Sequence, residues 1–304
     1  MPELPEVETV KNSLIELIIG KRIESVDIYY DKIIKNVTNS EFSEELIGEE
    51  FIDIKRRGKY LIFILKHHAI ISHLRMEGKY FLKGREEKEK HEHIIFNLEN
   101  NESLRYNDTR KFGVMYLYNT TDLDILLNSE PLNKLGYEPF DEKCTPLYLY
   151  NRLKSYKGEI KKALLDQEIM VGLGNIYVDE VLFISKIHPE EKTSKLNLDD
   201  YKNIIESSRI TLNKAIKLGG TTIKSFVNSH MATGLFQNEL LVHTKEICPE
   251  CKGKIEKIRV GGRGTYYCPN CQKMKSWQLV YKIIKLETQL WLLGSLEVLL
   301  LGKV

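Results

Sequence analysis

Residues 248–271 read CPECKGKIEKIRVGGRGTYYCPNC, and the spacing of their cysteines sets how this part of the chain must be built. Cys248-Pro-Glu-Cys251 and Cys268-Pro-Asn-Cys271 make the pattern Cys-x2-Cys-x16-Cys-x2-Cys, in which each pair forms a tight knuckle and a hairpin brings the knuckles together. Four thiolates at one point suit one tetrahedral Zn2+ and leave no open coordination position, so the metal is structural. Redox Cys-x-x-Cys pairs are the rival reading; two pairs at zinc-ribbon spacing favour the metal. The fifth cysteine, Cys144, has no partner in sequence. Residues 245–275 hold eight basic and three acidic side chains, a local charge of +5. Within Gly261-Gly262-Arg263-Gly264 the glycines let backbone approach a ligand closely, and Arg263 offers a planar fork suited to phosphate. A solvated hairpin is the equally weighted alternative.

Outward from the hairpin, the chain is 304 residues long, about twice a typical single domain, so two folded parts plus an appendage are expected. With 42% apolar and 29% charged residues it is not mainly disordered, collagen-like or membrane-spanning. The net charge of +2 argues neither for nor against a polyanionic partner, and only local charge informs. The opening, MPELPEVETV, carries three glutamates and no base before Lys11, the reverse of a secretory signal, so a cytoplasmic protein is expected. No repeat of fixed period is present, and the mixed charges of 85–92 predict a solvated loop.

Val7, Val10, Leu14 and Leu17 recur at helical spacing, with Pro5 in the first turn and Gly20 past the end. A helix therefore starts almost at the first residue. Short β-rich runs follow at 23–29, 51–55, 60–65, 70–73, 93–98, 103–106 and 114–118, which suggests a sandwich or barrel. After Pro131 the periodicity turns helical, with candidates at 147–156, 160–165, 176–185 and 199–218. The expected partition is a mostly β domain over 1–130, a mostly α domain over 131–237, the zinc module over 238–272 and an apolar extension over 273–304. Trp277 and Trp291 lie in the extension, where Lys285, Glu287, Glu297 and Lys303 break the run well short of a membrane span. An extra helix packed on the body or on a second copy is the expectation there.

Pro2 is ordinary if Met1 stays. If Met1 is removed, the chain begins with a secondary amine; α-amines titrate near pH 8, so a neutral fraction can attack an electrophilic carbon and form an iminium with a sugar aldehyde. Glu3 beside it can supply or accept the proton. In most chains such residues merely precede and cap a helix.

Here the residues resemble a known family. MPELPEVETV is similar to the opening of the formamidopyrimidine-DNA glycosylase family, relatives of endonuclease VIII, and further motifs follow in family order. These are RRGKY from Arg56, HLRMEG from His73, DTRKFG from Asp108, GLGNIYVDE from Gly172, GGTTI from Gly219 and GRGTYYCPNCQ from Gly262. Leu4 resembles the formamidopyrimidine branch, since the endonuclease VIII branch usually has glycine there. The resemblance implies an α+β protein: an N-terminal β-sandwich with a catalytic N-terminal helix, a helix-two-turn-helix domain and a C-terminal zinc-finger β-hairpin, with damaged double-stranded DNA in the cleft between lobes. It implies a bifunctional glycosylase and abasic-site lyase acting on oxidised purines, as a monomer in the cytoplasm, associated with the nucleoid during repair.

By that resemblance Pro2 is the nucleophile at C1′, Glu3 the proton donor, Lys59 the general acid of β-elimination, and Arg263 the phosphate contact and helper in δ-elimination. Arg56, Arg57 and Lys59 lie close enough to lower the pKa of Lys59, unless the run is a solvated strand edge. A base must be flipped out of the duplex to be reached, and the hole filled. Met76, Arg110 and Phe112 match the wedge positions, although methionine and phenylalanine are ordinarily core. His91 and Arg110 match DNA contacts, Asn175 opens a helix where amide donors hold a phosphate, and Lys161 is a weaker electrostatic candidate. For the base pocket, residues 219–237, with Thr221, Thr222 and Ile223, resemble a loop that closes over a purine, joined by Glu77. Two departures stand out: Thr109 replaces the usual proline and Lys111 the usual arginine in the wedge motif, and the chain runs on past the zinc knuckle. The alternatives are an endonuclease VIII-like glycosylase for oxidised pyrimidines and a catalytically silent DNA-binding relative. A metalloenzyme is disfavoured, because four thiolates leave zinc no site for water.

Overall fold

The computed structural model describes residues 2–221 and 234–275; Thr222, Ile223, both tryptophans and all of the 273–304 extension beyond residue 275 lie outside the described residues. Helix α1 (Leu4–Ile18) joins two cores. Its spacing presents Val7, Val10, Leu14 and Ile18 to the β core, whereas Leu4 in the first turn enters the core of the helical lobe. Each lobe therefore holds one end of the same helix.

Among the described residues, two antiparallel four-stranded sheets form the sandwich. One runs β1 (Ile23–Ile28), β6 (Glu92–Leu98), β7 (Glu102–Asn107), β5 (Lys79–Gly84); the other runs β2 (Phe51–Arg57), β3 (Tyr60–Leu65), β4 (Ala69–His73), β8 (Val114–Tyr118). Alternation along β3 sends Leu61, Phe63 and Leu65 into the space between sheets. Ile62 points the other way and, with Ala69 and Ile71, packs beneath Leu126 of α3 (Leu123–Leu127). Helix α2 (Asn39–Glu45), capped by the Thr38 hydroxyl, contributes Phe42 to the main core.

Two sequence expectations need correction here. Strand β5 went unread, because lysines and a glycine dilute its apolar pattern. The loop expected at 85–92 ends one residue early: Glu92 opens β6 and is buried, paired with buried Arg105 at 2.8 Å and with Lys83 at 3.0 Å.

The second lobe consists of α4 (Pro146–Leu153), α5 (Ile160–Leu165), α6 (Asn175–Ile184) and α7 (Leu198–Lys217), packed around Tyr177, Val181, Leu182, Tyr201 and Leu212. The hairpin β9 (Glu256–Val260) and β10 (Arg263–Tyr267) docks on α6 through Phe183, Val242, Ile255 and the buried Cys248 and Cys268. Among the described residues, no helix is long and apolar enough to cross a membrane.

Candidate active site and nucleic-acid interface

The first turn of α1 meets the start of α6 where the two lobes touch. Pro2 and Glu3 are both buried there. The Glu3 carboxylate accepts from the backbone N–H groups of Gly174 at 2.6 Å, Ile176 at 3.1 Å and Tyr177 at 3.4 Å, so it sits on the positive end of a helix dipole. The Leu4 N–H donates to the Gly172 carbonyl at 3.1 Å. Residue 174 has no room for a side chain, since a Cβ would lie 2.3 Å from Cδ of Glu3.

Lys59 reaches the same point from the β2–β3 turn. Its Nζ donates to the Leu173 carbonyl at 2.7 Å, and Gln167 donates to that carbonyl at 3.0 Å while accepting from Gly172 N–H at 3.1 Å. Gln167 thus holds the turn that holds Glu3. Burial pushes the Glu3 carboxyl up and Glu6 adds to it, opposed by the nearby Lys59 charge and the α6 amides. Burial likewise pushes the Lys59 ammonium down, opposed by Glu3 and Glu6, with Arg263 assisting. The shifts move the pKa values of a carboxyl and an ammonium toward each other.

The expected help from the two neighbouring arginines is not what the geometry provides. Arg56 is neutralised by Glu8, at 2.6 Å, and Glu138, at 2.7 Å, and Arg57 donates to the Gly136 carbonyl at 2.7 Å. The lowering of Lys59 comes from burial first.

Beneath Glu3 lies a carboxylate that sequence reading missed. Glu6 accepts from Glu3 N–H at 2.9 Å, the Tyr177 hydroxyl at 2.6 Å, and Thr221 through N–H at 2.9 Å and hydroxyl at 3.1 Å. In sequence Glu6 looks like an ordinary first-turn cap, and nothing local reveals its burial. The last described residue before position 222, Thr221, is therefore tied to α1.

Two of the wedge candidates, Arg110 and Phe112, occupy the loop between β7 and β8, shaped by a second missed residue, whereas Met76 lies in the connection between β4 and β5. Buried Asp108 accepts from the N–H groups of Arg110 at 2.9 Å, Phe112 at 2.9 Å and Gly113 at 2.8 Å. Its own carbonyl accepts from His93 Nε2 at 2.9 Å, and its N–H donates to the His91 carbonyl at 3.0 Å. The loop leaves Phe112 52% exposed with the Arg110 guanidinium 4.8 Å over its ring. Met76 is half-buried and His91 likewise. Exposed Glu77 accepts from the Thr109 hydroxyl, which places it beside the wedge loop. Lys111, at φ 58°, turns its ammonium over Tyr30, 4.7 Å from the ring centre. Both departures in this motif are accommodated, since the loop is held by Asp108 rather than by residues 109 and 111. Nearby His73 accepts from Arg75 N–H at 2.8 Å, and burial, with Arg75 and Lys59, takes its pKa down to about 3.

The hairpin completes the cleft. Arg263 is exposed at the start of β10. The following residue is gripped from α6: Asn175 Nδ2 donates to the Gly264 carbonyl at 3.0 Å, while its buried Oδ1 has no hydrogen-bond partner among the described residues. Lys161 departs from expectation. It is completely buried and donates to Asp179 at 2.6 Å and to the Gly264 carbonyl at 3.3 Å, so its charge is spent inside the protein.

Cys248, Cys251, Cys268 and Cys271 bring their Sγ atoms within 4.8 Å of one another, with pairs at 3.8 Å and 3.5 Å. A tetrahedron with Zn–S bonds of ~2.3 Å has edges of about 3.8 Å, so the four thiolates fit one structural Zn2+ with no position left for water.

A buried N-terminal proline–glutamate pair where two lobes touch, with a buried lysine beside it and an exposed arginine on a four-cysteine hairpin, is the arrangement found in base-excision DNA glycosylases that also cut at abasic sites. Three family models match in order. They are the formamidopyrimidine-DNA glycosylase N-terminal domain over 1–115, the formamidopyrimidine-DNA glycosylase H2TH domain over 135–227, and the zinc finger found in FPG and IleRS over 245–273. Formamidopyrimidine-DNA glycosylase of Bacillus cereus (strain ATCC 14579) is 48% identical over 276 residues, 90% of this chain and 99% of the relative. That of Bacillus subtilis (strain 168) is 46% identical over 279 residues, 90% of this chain and 100% of the relative. Among solved structures, wild-type Lactococcus lactis Fpg with DNA containing N7-benzyl-Fapy-dG superposes with a TM-score of 0.81 at 42% identity, covering 90% of this chain and 100% of that one. The same organism's Fpg with abasic-site DNA gives 0.82 at 41%, with the same coverage. The chain belongs to the formamidopyrimidine-DNA glycosylase family.

Proposed function

We propose that the protein removes oxidised purines, 8-oxoguanine and formamidopyrimidines, from double-stranded DNA and then cuts the strand on both sides of the abasic sugar. One observation carries the reading: Glu3, next to Pro2, is buried on the α6 N-terminus and shares its surroundings with buried Lys59. With Met1 removed, the neutral Pro2 amine attacks C1′ as the glycosidic bond breaks; the base leaves with the bond's electrons and takes up the proton that the Pro2 nitrogen sheds. Glu3, whose pKa burial raises, gives a proton to the sugar oxygen as the ring opens to the iminium. Lys59, with a lowered pKa, moves protons during β-elimination. Arg263 and Asn175 bind the flanking phosphates and Arg263 assists δ-elimination; His91 and Arg110 contact the backbone.

Met76, Arg110 and Phe112 fill the hole left by the flipped nucleotide, the aromatic stacking on the neighbouring base and the cation facing the orphaned one. Thr221 and Glu77 border the base pocket, which we extend to Thr222 and Ile223. Residues 1–130 carry the chemistry, 131–237 and 238–272 the DNA grip, and 273–304 an addition to them. The protein works as a monomer in the cytoplasm, on the nucleoid.

The test is a duplex with one 8-oxoguanine opposite cytosine, reduced with borohydride and analysed by mass spectrometry. A covalent adduct on Pro2, with strand cleavage when borohydride is omitted, is expected. An adduct only on a thymine glycol duplex moves the substrate to oxidised pyrimidines. None on either, from zinc-loaded protein lacking Met1, defeats the catalytic reading.

A further inference from the structure

The hairpin that carries Arg263 is registered against α6, the helix whose first amides hold the Glu3 carboxylate, by a buried cluster which no role in DNA contact or chemistry explains. Asp179, on the second turn of α6, accepts from Lys161 Nζ on Oδ1 at 2.6 Å and from the backbone N–H of Tyr266 on Oδ2 at 3.1 Å, and Oδ2 also lies 2.8 Å from His243 Nδ1. Lys161 Nζ also reaches the Gly264 carbonyl at 3.3 Å, beside the 3.0 Å bond from Asn175. The neighbouring Lys162 packs under the hairpin turn, where a Cβ on Gly261 would lie 3.4 Å from its Cγ. Lys161 and Asp179 have no measurable exposure of their side chains.

A buried ion pair is an uneconomical way to hold two elements together, because desolvation offsets most of its attraction. Its directional bonds nevertheless fix register in a way apolar contact does not. Here they fall on Gly264 and Tyr266, one and three residues after Arg263, and on the helix whose first amides hold the Glu3 carboxylate. We propose that Lys161 and Asp179 are positioning residues for Arg263, setting the distance between the phosphate-binding arginine and the Glu3–Pro2 centre, and that Lys161 makes no contact with DNA. A lysine with an extended, solvated chain would add a phosphate contact of its own; this one has no side-chain exposure and gives two of its three donors to Asp179 and Gly264.

The inference rests on the proposed lyase function, and double substitution separates the two. On a duplex with a single abasic site, the ratio of δ- to β-elimination product and the affinity are measured for the zinc-loaded full chain and for Lys161→Met, Arg263→Ala and the combined variant. Zinc content and thermal midpoint are recorded for each. Positioning predicts that Lys161→Met shifts product toward β-elimination and weakens binding by about tenfold, the loss of one charge-assisted contact. It further predicts that adding it to Arg263→Ala changes nothing more. Multiplicative effects in the combined variant, or an unchanged product ratio and affinity in Lys161→Met, overturn the proposal.

Lys161→Met strands the Asp179 charge and can unfold the hairpin, so Lys161→Met with Asp179→Asn, which removes both charges, is measured in parallel against Arg263→Ala by the same criterion. A wild-type chain without lyase product refutes the functional reading alone; the affinity comparison still tests the positioning role.

Discussion

Asp108 supports a quantitative test of how the wedge is held. We predict that Asp108→Asn uncouples base extrusion from the later chemistry. In the native loop one carboxylate takes three backbone N–H groups, Arg110 on Oδ1 and both Phe112 and Gly113 on Oδ2, at 2.8–2.9 Å. Asparagine keeps one acceptor oxygen. Whichever way its amide turns, an NH2 group faces at least one backbone N–H, and keeping the Arg110 bond strands both others. A buried donor left unsatisfied costs ~1–3 kcal/mol, so the loop loses roughly 2–4 kcal/mol of preference for the conformation that presents Arg110 and Phe112. A 2 kcal/mol loss at the extrusion step is about a thirtyfold slower reaction. The assay is single-turnover cleavage of two duplexes, one with 8-oxoguanine and one with a preformed abasic site. The first should slow about thirtyfold and the second much less, because an abasic nucleotide costs less to extrude. The thermal midpoint should fall by only a few degrees, since the damage is confined to a surface loop. Equal slowing on both duplexes would mean that Asp108 supports the chemistry instead. No slowing on either would refute the argument that this carboxylate shapes the loop.

Three further outcomes are expected. His73 is held neutral in the folded state, with a pKa down to about 3, whereas the unfolded chain takes up its proton near the ordinary value of 6.5. Protons therefore favour the unfolded state, and stability falls as pH drops from about 6 to 4 by up to ~1.4 kcal/mol per unit. In urea titrations His73→Gln, able to accept from Arg75 N–H, should flatten that acid limb; an unchanged limb would assign it to other groups. Gly174→Ala would place a Cβ 2.3 Å from Cδ of Glu3 and drive the carboxylate off the α6 amides. Adduct formation on Pro2 should drop about a hundredfold with DNA affinity nearly preserved, and a normal adduct rate would show that Glu3 tolerates displacement. Chelation of zinc should release the knuckles at 248–271 and weaken DNA binding at least tenfold, reversibly, while the circular dichroism of the sandwich persists; binding unaffected by metal loss would count against the hairpin's part in the interface.

The zinc module was legible in sequence because its ligands come as two adjacent pairs whose spacing alone brings them together. Helices α5, α6 and α7 were legible from local pattern, an amphipathic period in α7 and an apolar run behind the turn at 172–174 in α6, and the observed bounds differ from the expected ones by a residue or less. Family motifs pointed to Glu3 and Lys59, which the fold buries within electrostatic reach of each other, and to the wedge loop, which Asp108 shapes. Sequence was silent where a role depends on a partner far along the chain. Glu6 reads as a helix cap until Tyr177 and Thr221 fold over it, and Gln167 reads as a loop amide until it grips the turn at Leu173. Lys161 reads as one more surface cation beside a basic hairpin. Its counter-ion sits on the next helix, eighteen residues on, and only packing shows that the pair is buried. The sequence by itself thus determined which local elements form and which residue types are available for chemistry, since periodicity, capping and ligand spacing are short-range properties. Tertiary structure alone decided which charges are desolvated and which are neutralised, because burial and ion pairing depend on what the rest of the chain places alongside.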